Sequence, residues 1–493
     1  RLAGSAQRGR ALGVLMGTAA GDALGAPYEF GPSLPAETPV TMHAGGVWEK
    51  GEWTDDTAMA LAIAQVAAQG LDLRDEEAQD GIVQRWIEWA FDPKTKDVGI
   101  QTRHVLSSAN RHGGTAAAAR RAAEETHARQ GKSGGNGSLM RTAPVALAYL
   151  GDEAALTEAA QAIARLTHYE RDNGDACVLW CHAIRHAVLT GELDARVGLP
   201  QISADRRDYW AARLDDAEQH DPAHFSHNGW VVEALQGAWS AIKRTPVPRE
   251  DPPGGRFRAD HLRLALENAV RGGRDTDTVA AIAGGLLGAT WGVAAVPALW
   301  RADLHGWPGL RPHDLDQLTQ AITGGGAARR ARDYSDVPRQ PLVKLPRDPG
   351  VLLGNVQAAL HPSGADFDAV VSLCEIAPDL RAARPWIEVF LIDKADPDAN
   401  QQLGFVLEDT VRAISQLRDD GHRVLLHCVY AQSRTPTVAA LYTMRRFGVD
   451  ESTARHEVQA ALGGQFSGNE AFREALRKAD GAPQGGGAGL RVP

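Results

Sequence analysis

The sequence predicts two domains of different fold class: an all-α domain over the first two-thirds of the chain and an α/β domain after it. In residues 9–320, Ala-rich segments carry apolar residues at the spacing that is typical of helices. Residues 323–340 combine Gly, Arg, Pro and acidic residues without periodicity, as interdomain linkers do. Beyond them, short β-branched runs alternate with helical stretches, which favours a mainly parallel sheet flanked by helices.

Composition agrees with this multidomain architecture. The chain has 493 residues, of which 43% are hydrophobic and 23% charged, so it is neither collagen-like, coiled-coil nor wholly disordered. At about 100–200 residues per domain, this length fits two or three domains. We place the helical domain at 1–322, the linker at 323–340, the α/β domain at 341–480 and a disordered tail at 481–493.

Charge and cysteine content indicate which cellular compartment and which binding partners to expect. The net charge of −10 makes a chain-wide attraction to nucleic-acid backbone unexpected. The 4 cysteines form no C-x-x-C pair, which favours a reducing, cytoplasmic compartment. The apolar run 11–20 follows several arginines as in a signal peptide, but Gly17, Gly21 and Gly25 interrupt it, so we expect an amphipathic first helix instead. No stretch approaches the roughly 18 apolar residues that a membrane span needs.

Periodicity places the individual elements. The predicted helices of the first domain include Ala58–Ala68, Ala154–Arg165, Ala176–Leu189, Val231–Lys243 and Leu262–Val270. The predicted strands of the second domain are Ala369–Cys374, Ile387–Ile392 and Arg423–His427. The helices expected between and after these strands are Gly404–Asp419, Thr435–Arg446 and Glu451–Leu462.

Two motifs that open predicted helices are unusually rich in oxygen ligands: T-D-D-T at 54–57 and D-T-D-T at 275–278. Helix capping would explain either motif alone, but a cap needs only one side-chain oxygen. Adjacent carboxylates repel each other unless a cation neutralises them. An oxygen-only set suits Mg²⁺ or Mn²⁺ rather than Zn²⁺, and a shared carboxylate could bridge two ions about 3.5–4 Å apart. The set comprises Thr54, Asp55, Asp56, Asp275, Asp277 and Thr278.

Together with G-D-A-L-G at 21–25 and G-G-N-G-S-L-M-R at 134–141, these motifs resemble the ADP-ribosylglycohydrolases, the family typified by the dinitrogenase-reductase-activating enzyme. The resemblance spans about the first two-thirds of the chain. It implies a helical fold around a binuclear magnesium site, with Mn²⁺ as the alternative metal. It also implies that the six residues of the set are the metal ligands, with Asp55 and Asp56 at the catalytic centre. Glu29 is implied as the general acid/base or the carboxylate that positions water.

The glycine-rich motif supplies candidates for substrate binding. Its backbone N–H groups could approach a diphosphate closely, although a plain turn before a helix at Met140 is the alternative. His168 could contact ribose or phosphate, or could be a structural histidine. Arg274 stands between Gly-Gly and Asp-Thr-Asp, where a cation could bind phosphate or disturb the metal site. The substrate-binding candidates are Gly135, Asn136, Gly137, Ser138, Met140, Arg141, His168 and Arg274.

A second chemical motif, H-C-V-Y-A-Q-S-R-T at 427–435, follows a predicted strand and opens a predicted helix. The loop N–H groups and the helix N-terminus could cradle a phosphate, and their field would lower the pKa of the Cys428 thiol to give a nucleophile. Arg434 could bind two phosphate oxygens in its planar fork. The hydroxyl of Thr435 could support the thiolate or its departure.

Residues 350–477 resemble the cysteine-dependent tyrosine and dual-specificity phosphatases through this motif. The resemblance implies a phosphocysteine intermediate and a general-acid Asp on the loop after the strand 387–392. We rank Asp393 first as that acid and Asp396 close behind it. The family usually has Gly where Ala431 stands, and Ala tolerates unusual backbone angles poorly, so weakened phosphate binding is a concern.

The sequence thus predicts a bifunctional hydrolase: a magnesium-dependent ADP-ribosyl glycohydrolase joined to a phosphocysteine-type phosphatase. The expected substrates are ADP-ribose-modified protein or nucleic acid and, for the second domain, a phosphorylated molecule. We expect neither membrane association nor an obligate protein partner. The alternatives are a first domain that binds ADP-ribose without cleaving it, as a targeting module, and a phosphatase degenerated at Ala431.

Overall fold

The computed structural model describes residues 2–324, 332–362, 366–381 and 384–481. These residues form two compact units. The first comprises the described residues up to Val247 and those from His261 to 324, and the second comprises Pro248–Asp260 and the described residues from 332 onwards. Part of the expected linker, 325–331, and the expected tail from 482 lie outside the described residues.

The first unit is built from α-helices, which confirms its predicted fold class. Its helices are α1 (Gly4–Gly25), α2 (Asp55–Ala68), α3 (Glu76–Phe91), α4 (Ile100–Arg111), α5 (Ala116–Gln130), α6 (Ala143–Ala148), α7 (Glu153–Arg165), α8 (Arg171–Thr190), α9 (Ala204–Gln219), α10 (Val231–Arg244), α11 (Asp260–Arg271), α12 (Thr276–Trp291), α13 (Ala298–Asp303) and α14 (Pro312–Gly324). Among the described residues, no helix combines the length and the apolar character needed to cross a bilayer.

Helix α1 is the centre of this unit and is buried on nearly every face from Arg10 to Gly25, whereas an amphipathic helix was expected. Neighbouring helices, including α8, α12 and α14, surround it, so it has no solvent face. Its glycines lie directly against α12: a Cβ on Gly17 would stand 2.1 Å from the carbonyl oxygen of Gly284. A Cβ on Gly21 would meet the Ala280 oxygen at the same 2.1 Å. Only glycine permits α1 and α12 to approach each other this closely. We call this line of contact between the two helices the glycine seam.

The second unit is the α/β domain that the sequence predicts. Its elements are β1 (Val343–Leu345), β2 (Asp348–Gly354), α15 (Val356–Leu360), β3 (Ala369–Ser372), β4 (Trp386–Glu388), α16 (Leu403–Asp419), β5 (Val424–His427), α17 (Arg434–Phe447), α18 (Glu451–Ala461) and α19 (Glu470–Asp480). The sheet order is β1-β2-β5-β3-β4, with β1 antiparallel to β2 and the other pairs parallel. The central strand β5 is fully buried, and the loop that follows it lies at the carboxyl edge of the sheet.

The segment Pro248–Asp260 packs within the second unit, although the predicted boundaries place it in the first domain. Arg445 donates hydrogen bonds to the Pro252 oxygen at 2.7 Å and the Pro253 oxygen at 3.1 Å. Phe257 lies against Gly404, where a Cβ would stand 2.4 Å from its ring. These contacts depend on tertiary packing, which a loop rich in Pro and Gly does not reveal.

Candidate functional sites

The acidic motifs converge because three helix ends of the first unit meet at the glycine seam. Asp22 lies in the last turns of α1, Asp55 and Asp56 open α2, and Asp277 lies in the first turn of α12. A Cβ on Gly25 would stand 2.5 Å from the Asp277 Cα, so the seam brings α1 into backbone contact with the motif at 275–278. Both helix N-termini direct their positive ends at this cluster.

Capping does not account for either motif. The side chain of Thr54, at the N-cap of α2, makes no capping hydrogen bond. Asp22 performs that role from α1: its Oδ2 accepts from the backbone N–H of Thr54 at 3.0 Å and of Thr57 at 3.1 Å. Asp275 precedes α12 and likewise makes no side-chain cap. The remaining oxygens of both motifs are therefore available for other partners.

The hydroxyl of Thr54 is surrounded by carboxylates. It lies 2.7 Å from Asp22 Oδ1 and from Asp56 Oδ2, and 3.2 Å from Asp55 Oδ1 and from Asp277 Oδ2. One hydroxyl proton can satisfy only one of these four acceptors. Such an excess of acceptors in the protein interior is the arrangement that a bound cation neutralises.

Two groups of carboxylates in the cluster are close enough for each group to hold a cation. Carboxylate oxygens of Asp22, Asp56 and Asp277 lie within 4.8 Å of one another, as do those of Glu29, Asp275 and Asp277. Asp277 belongs to both groups, so two cations at these positions would share it as a ligand. Asp56 Oδ1 and Asp277 Oδ1 are buried without a hydrogen-bond partner among the described residues. The residues present therefore fit a pair of hard divalent ions.

The ionisation of the cluster reflects its burial and mutual repulsion. Burial raises the pKa of Asp22 to about 6, although hydrogen bonds from Thr57 and Thr54 oppose the increase. Burial and then repulsion by Asp22 raise the pKa of Asp55 to about 7. Burial and then repulsion by Asp275 raise the pKa of Glu29 to about 8. Without a cation, these carboxyls thus retain protons close to neutral pH.

The loop that carries Glu29 is fixed by an unusual backbone pair. Phe30 and Arg274 both adopt left-handed conformations, with φ of 59° and 63°. The Phe30 N–H donates to the Arg274 oxygen at 2.6 Å, and the Arg274 N–H donates to the Gly31 oxygen at 2.8 Å. Each such residue costs of order 1 kcal/mol and persists where the surroundings enforce it. The exposed Arg274 thus positions Glu29 beside Asp275 through its backbone, and its side-chain role stays a prediction.

The glycine-rich loop is joined to the acidic cluster through Asn136. Its amide donates to Asp275 Oδ2 at 2.7 Å and to the Asn228 oxygen at 2.8 Å. From α8, the Asn173 amide donates to the Gly135 oxygen and to Ser138 Oγ, both at 2.7 Å. Sequence reasoning missed Asn173 and Asn228, which support Asn136 and its loop, because neither belongs to a local pattern.

His168 packs beneath this loop, where a Cβ on Gly137 would stand 2.9 Å from its ring. Burial, followed by repulsion from Arg141, lowers the pKa of His168 to about 3, so its ring is neutral. Arg141 itself is fully buried, with its guanidinium 4.1 Å from the centre of the Trp86 ring. Met140 is also buried.

The structure buries the side chains of four predicted substrate contacts. These are Ser138, Met140, Arg141 and His168, and their part in substrate binding stays a prediction. Gly135 and Gly137 stay partly exposed, so their backbones remain the candidates for substrate contact.

Two acidic residues were missed by the prediction. Asp22 was quoted in its motif but given no role; its signal was a carboxylate inside an otherwise apolar helix. Asp97 is exposed, and its charge contributes to the raised pKa of Glu29, Asp55 and Asp275. No local pattern distinguishes Asp97 from an ordinary loop residue.

The second site forms where β5 ends and α17 begins. Cys428 is buried at the start of the loop 428–433, and Arg434 opens the helix. Arg434 Nη1 donates to the Leu373 oxygen at 2.8 Å and to the Leu391 oxygen at 3.2 Å. Arg434 Nε and Thr435 Oγ1 are buried without a partner among the described residues. Unsatisfied donors at a helix N-terminus are what a phosphate would satisfy.

Ala431 in this loop has a φ of 58°, so the turn does require the left-handed conformation that Gly adopts without strain. The chain keeps the loop conformation and accepts a backbone cost of order 1 kcal/mol. The weakened phosphate binding that the sequence raises as a concern would therefore arise from the φ torsion of Ala431.

His427 is oriented by a hydrogen-bonded chain across the sheet. Trp386 Nε1 donates to Ser372 Oγ at 2.8 Å, and Ser372 Oγ lies 2.6 Å from His427 Nε2. Because the indole can only donate, Ser372 satisfies every group by donating to Nε2, which leaves the His427 proton on Nδ1. Nδ1 lies 3.2 Å from the Cys428 oxygen and can donate to it. Burial lowers the pKa of His427 to about 4, so the ring is neutral in this role.

The two candidates for the general acid lie in different surroundings. Asp393 Oδ1 accepts from Ser433 Oγ of the loop at 2.8 Å. Asp396 Oδ1 accepts from the Asp398 N–H at 3.0 Å, which closes a turn within its own loop. Asn400 fastens the base of that loop by donating to the Ile392 oxygen at 2.6 Å. The structure thus brings Asp393 to the Cys428 loop and uses Asp396 in a local turn.

A helical unit with a buried carboxylate cluster and an α/β unit with a Cys-Arg loop define a two-domain hydrolase. Residues 3–332 match the ADP-ribosylglycohydrolase family, and residues 352–481 match the catalytic domain of dual specificity phosphatases. The chain belongs to the ADP-ribosylglycohydrolase family and carries a dual specificity phosphatase domain after it. Both predicted resemblances are confirmed.

Individual relatives agree with both matches. The chain is 30% identical over 316 residues to the ADP-ribosyl-dinitrogen reductase glycohydrolase of Rhodospirillum rubrum, covering 62% of this chain and 92% of that protein. It is 28% identical over 304 residues to the ADP-ribosylarginine hydrolase Tri1 of Pseudomonas putida (strain GB-1), covering 59% and 73%. It is 26% identical over 153 residues to dual specificity protein phosphatase 1 of Arabidopsis thaliana, covering 31% and 75%.

Proposed function

We propose that the first domain hydrolyses the N- or O-glycosidic bond between ADP-ribose and an acceptor, with Mg²⁺ or Mn²⁺ held by the acidic cluster. The arrangement of Asp277 carries this proposal, since its carboxylate belongs to two adjacent oxygen clusters of which one includes Glu29. The ligands would be Asp22, Thr54, Asp55, Asp56, Asp275, Asp277 and Thr278. Divalent ions at these positions would supply positive charge to orient ribose hydroxyls and to acidify a water.

The chain's own residues perform the remaining tasks. Glu29 lies half-buried at the edge of the cluster and can take or give a proton at the attacking water. The surrounding carboxylates match the positive charge that develops at the anomeric carbon. The backbone of Gly135 and Gly137, held by Asn136 and Asn173, is the candidate support for the diphosphate.

For the acceptor we propose ADP-ribosylarginine in a protein as the first substrate to test. The relative from Rhodospirillum rubrum is named for an ADP-ribosylated protein, and the relative from Pseudomonas putida is named for ADP-ribosylarginine. ADP-ribosylserine and ADP-ribosylated DNA are the comparison substrates, because all three share the ribose at which the proposed reaction takes place.

The second domain is proposed to hydrolyse a phosphoester through Cys428. The thiolate attacks phosphorus, the P–O bond breaks, and Asp393 gives its proton to the leaving oxygen. Water then hydrolyses the phosphocysteine, with Asp393 taking the proton back. The unpartnered Arg434 Nε and Thr435 Oγ1 support this assignment, since phosphoryl oxygens would complete their hydrogen bonds.

Reciprocal variants of the full chain test both halves. With Mg²⁺, release of ADP-ribose is expected from the wild type and from Cys428→Ser, and it should fall by about 100-fold or more in EDTA or in Asp277→Asn. Phosphate release should show the opposite pattern, surviving Asp277→Asn and disappearing in Cys428→Ser. Binding of ADP-ribose without turnover on any of the three substrates would favour a targeting module. Equal phosphate release by Cys428→Ser and the wild type would exclude the thiol mechanism.

A further inference from the structure

We propose that Asn469 is a positioning residue for the phosphatase reaction, which holds Asp393 in the orientation needed to donate its proton. This inference rests on the proposed phosphatase function. Asn469 lies outside the H-C-x5-R motif, at the start of α19 and 35 positions after Arg434 in the printed sequence. Its role follows from two hydrogen bonds that only an amide can make together.

The two ends of the Asn469 side chain perform different tasks. Its Oδ1 accepts from the Phe472 N–H at 3.0 Å and thereby caps α19. Its Nδ2 donates to Asp393 Oδ1 at 2.9 Å. The cap requires an acceptor and the Asp393 carboxyl requires a donor. Both contacts therefore place the amide oxygen toward Phe472 and the amide nitrogen toward Asp393. Asp would supply only the cap, because a carboxylate has no N–H to donate.

Both donors that reach Asp393 converge on the same oxygen. Ser433 Oγ donates to Oδ1 at 2.8 Å, beside the bond from Asn469. Two donors on Oδ1 fix the carboxyl plane and leave Oδ2 to carry the acid proton. A protonated carboxyl can keep both bonds, since Oδ1 is then its carbonyl-type acceptor.

The segment that carries Asn469 is itself fastened to the Cys428 loop. Ser467 donates to the Gln432 oxygen through its backbone N–H at 2.9 Å and its hydroxyl at 3.0 Å. Behind it, α19 is anchored by the fully buried Phe472 and Leu476. Residues 467–469 therefore form a brace that contacts the nucleophile loop and the acid at the same time, and rigid support of this kind sustains a precise catalytic geometry.

The test compares two aryl phosphates that differ in their need for an acid. Phenyl phosphate has a basic leaving group and needs protonation, whereas 2,4-dinitrophenyl phosphate departs without it. In the full chain, Asn469→Asp retains the cap but replaces the donor with a repelling carboxylate. Its kcat/KM, which reports the steps up to phosphocysteine formation, should fall by roughly tenfold on phenyl phosphate, a part of the 10²–10⁴-fold that a general acid contributes. Its kcat/KM on 2,4-dinitrophenyl phosphate should stay within about twofold.

Two further variants separate the possible outcomes. Asn469→Ser also retains a capping acceptor and should reproduce the selective loss, while the thermal midpoint and the glycohydrolase rate of both variants report folding. Equal losses of kcat/KM on both phosphates, or no loss on either, would overturn the inference. Asp393→Asn is run in parallel: if it shows no preference between the two phosphates, the proposed acid is wrong. If only Asp393→Asn is selective, the phosphatase assignment stands and the role of Asn469 is excluded.

Discussion

The two candidate sites are built in opposite ways. The acidic cluster of the first unit draws on three helices that are far apart in sequence and joins them through the glycine seam. The Cys428 loop is one continuous segment between β5 and α17. The first site gathers buried carboxyl groups and depends on the packing of several helices, while the second depends on the backbone conformation of one loop. Different perturbations should therefore damage each site.

The largest difference should appear in stability against pH. Several carboxyls of the cluster have a raised pKa in the folded state, reaching about 6 for Asp22, about 7 for Asp55 and about 8 for Glu29. In the cation-free protein, the carboxyls of the cluster thus bind more protons in the folded than in the unfolded state above about pH 4. Their contribution should lower the thermal midpoint in EDTA as the pH rises from 5 to 8.5. Added Mg²⁺ should raise the midpoint more at pH 8 than at pH 5.5.

The difference between the Mg²⁺ and EDTA curves isolates the cluster from other titrating groups. In Asp277→Asn that difference should shrink at every pH, while Cys428→Ser should reproduce the wild type. Curves that coincide with and without Mg²⁺ across this range would contradict a cation-dependent cluster.

A change at the glycine seam comes next in size. Gly17→Ala places a methyl group 2.1 Å from the Gly284 oxygen, so α1 and α12 must separate. We expect a loss of about 1–3 kcal/mol in the free energy of unfolding of the first unit and a marked fall in ADP-ribose release. The phosphatase rate should not change.

Gly9→Ala, on the same helix as Gly17, is the matched control, because a Cβ at this position meets nothing within 4 Å. It should be neutral or slightly stabilising, since Ala favours helices over Gly by about 1 kcal/mol. Equal denaturation midpoints for the two variants would show that the seam is not tightly packed.

The smallest expected effect concerns the other site. Ala431→Gly removes the strain of a left-handed Ala, which is worth about 1 kcal/mol, together with one buried methyl group. Because the strain is common to the free and the phosphate-bound loop, the free energy of unfolding of the second unit should rise by up to about 1 kcal/mol, while vanadate affinity and ADP-ribose release should stay the same. A denaturation midpoint equal to or below that of the wild type would show that Ala431 does not strain the loop.

The contrast between the sites also explains what the sequence could reveal of the fold. Helical periodicity located α2, α7, α8, α10 and α11, and alternation of apolar runs located β3 and β5. Strands β1 and β2 were not predicted, because β1 has three residues and β2 includes Pro and Gly. The predicted strand at 387–392 is shorter in the structure, where β4 ends at Glu388 and the chain turns toward the acid loop.

Recognition of the functional residues followed the same division. The Cys428 loop and the acid-rich helix starts were visible as short motifs with a chemical meaning. Asp22 was not assigned, because one carboxylate in an apolar helix gains its role only from the packing of α1 against α2. Arg141, a predicted substrate contact, has a buried side chain, and a motif does not show which of its side chains point into the core. Asn469 has no motif, and its contact with Asp393 exists only after α19 has docked.

The account depends above all on divalent cations occupying the acidic cluster. Calorimetric titration of the cation-free full chain with Mn²⁺, followed in parallel by electron paramagnetic resonance, tests this directly. We predict two bound ions per chain with exchange coupling between them and release of protons on binding. In Asp277→Asn, the exchange coupling and the proton release should both be lost. A wild-type titration without saturable binding, or one unchanged by Asp277→Asn, would contradict it.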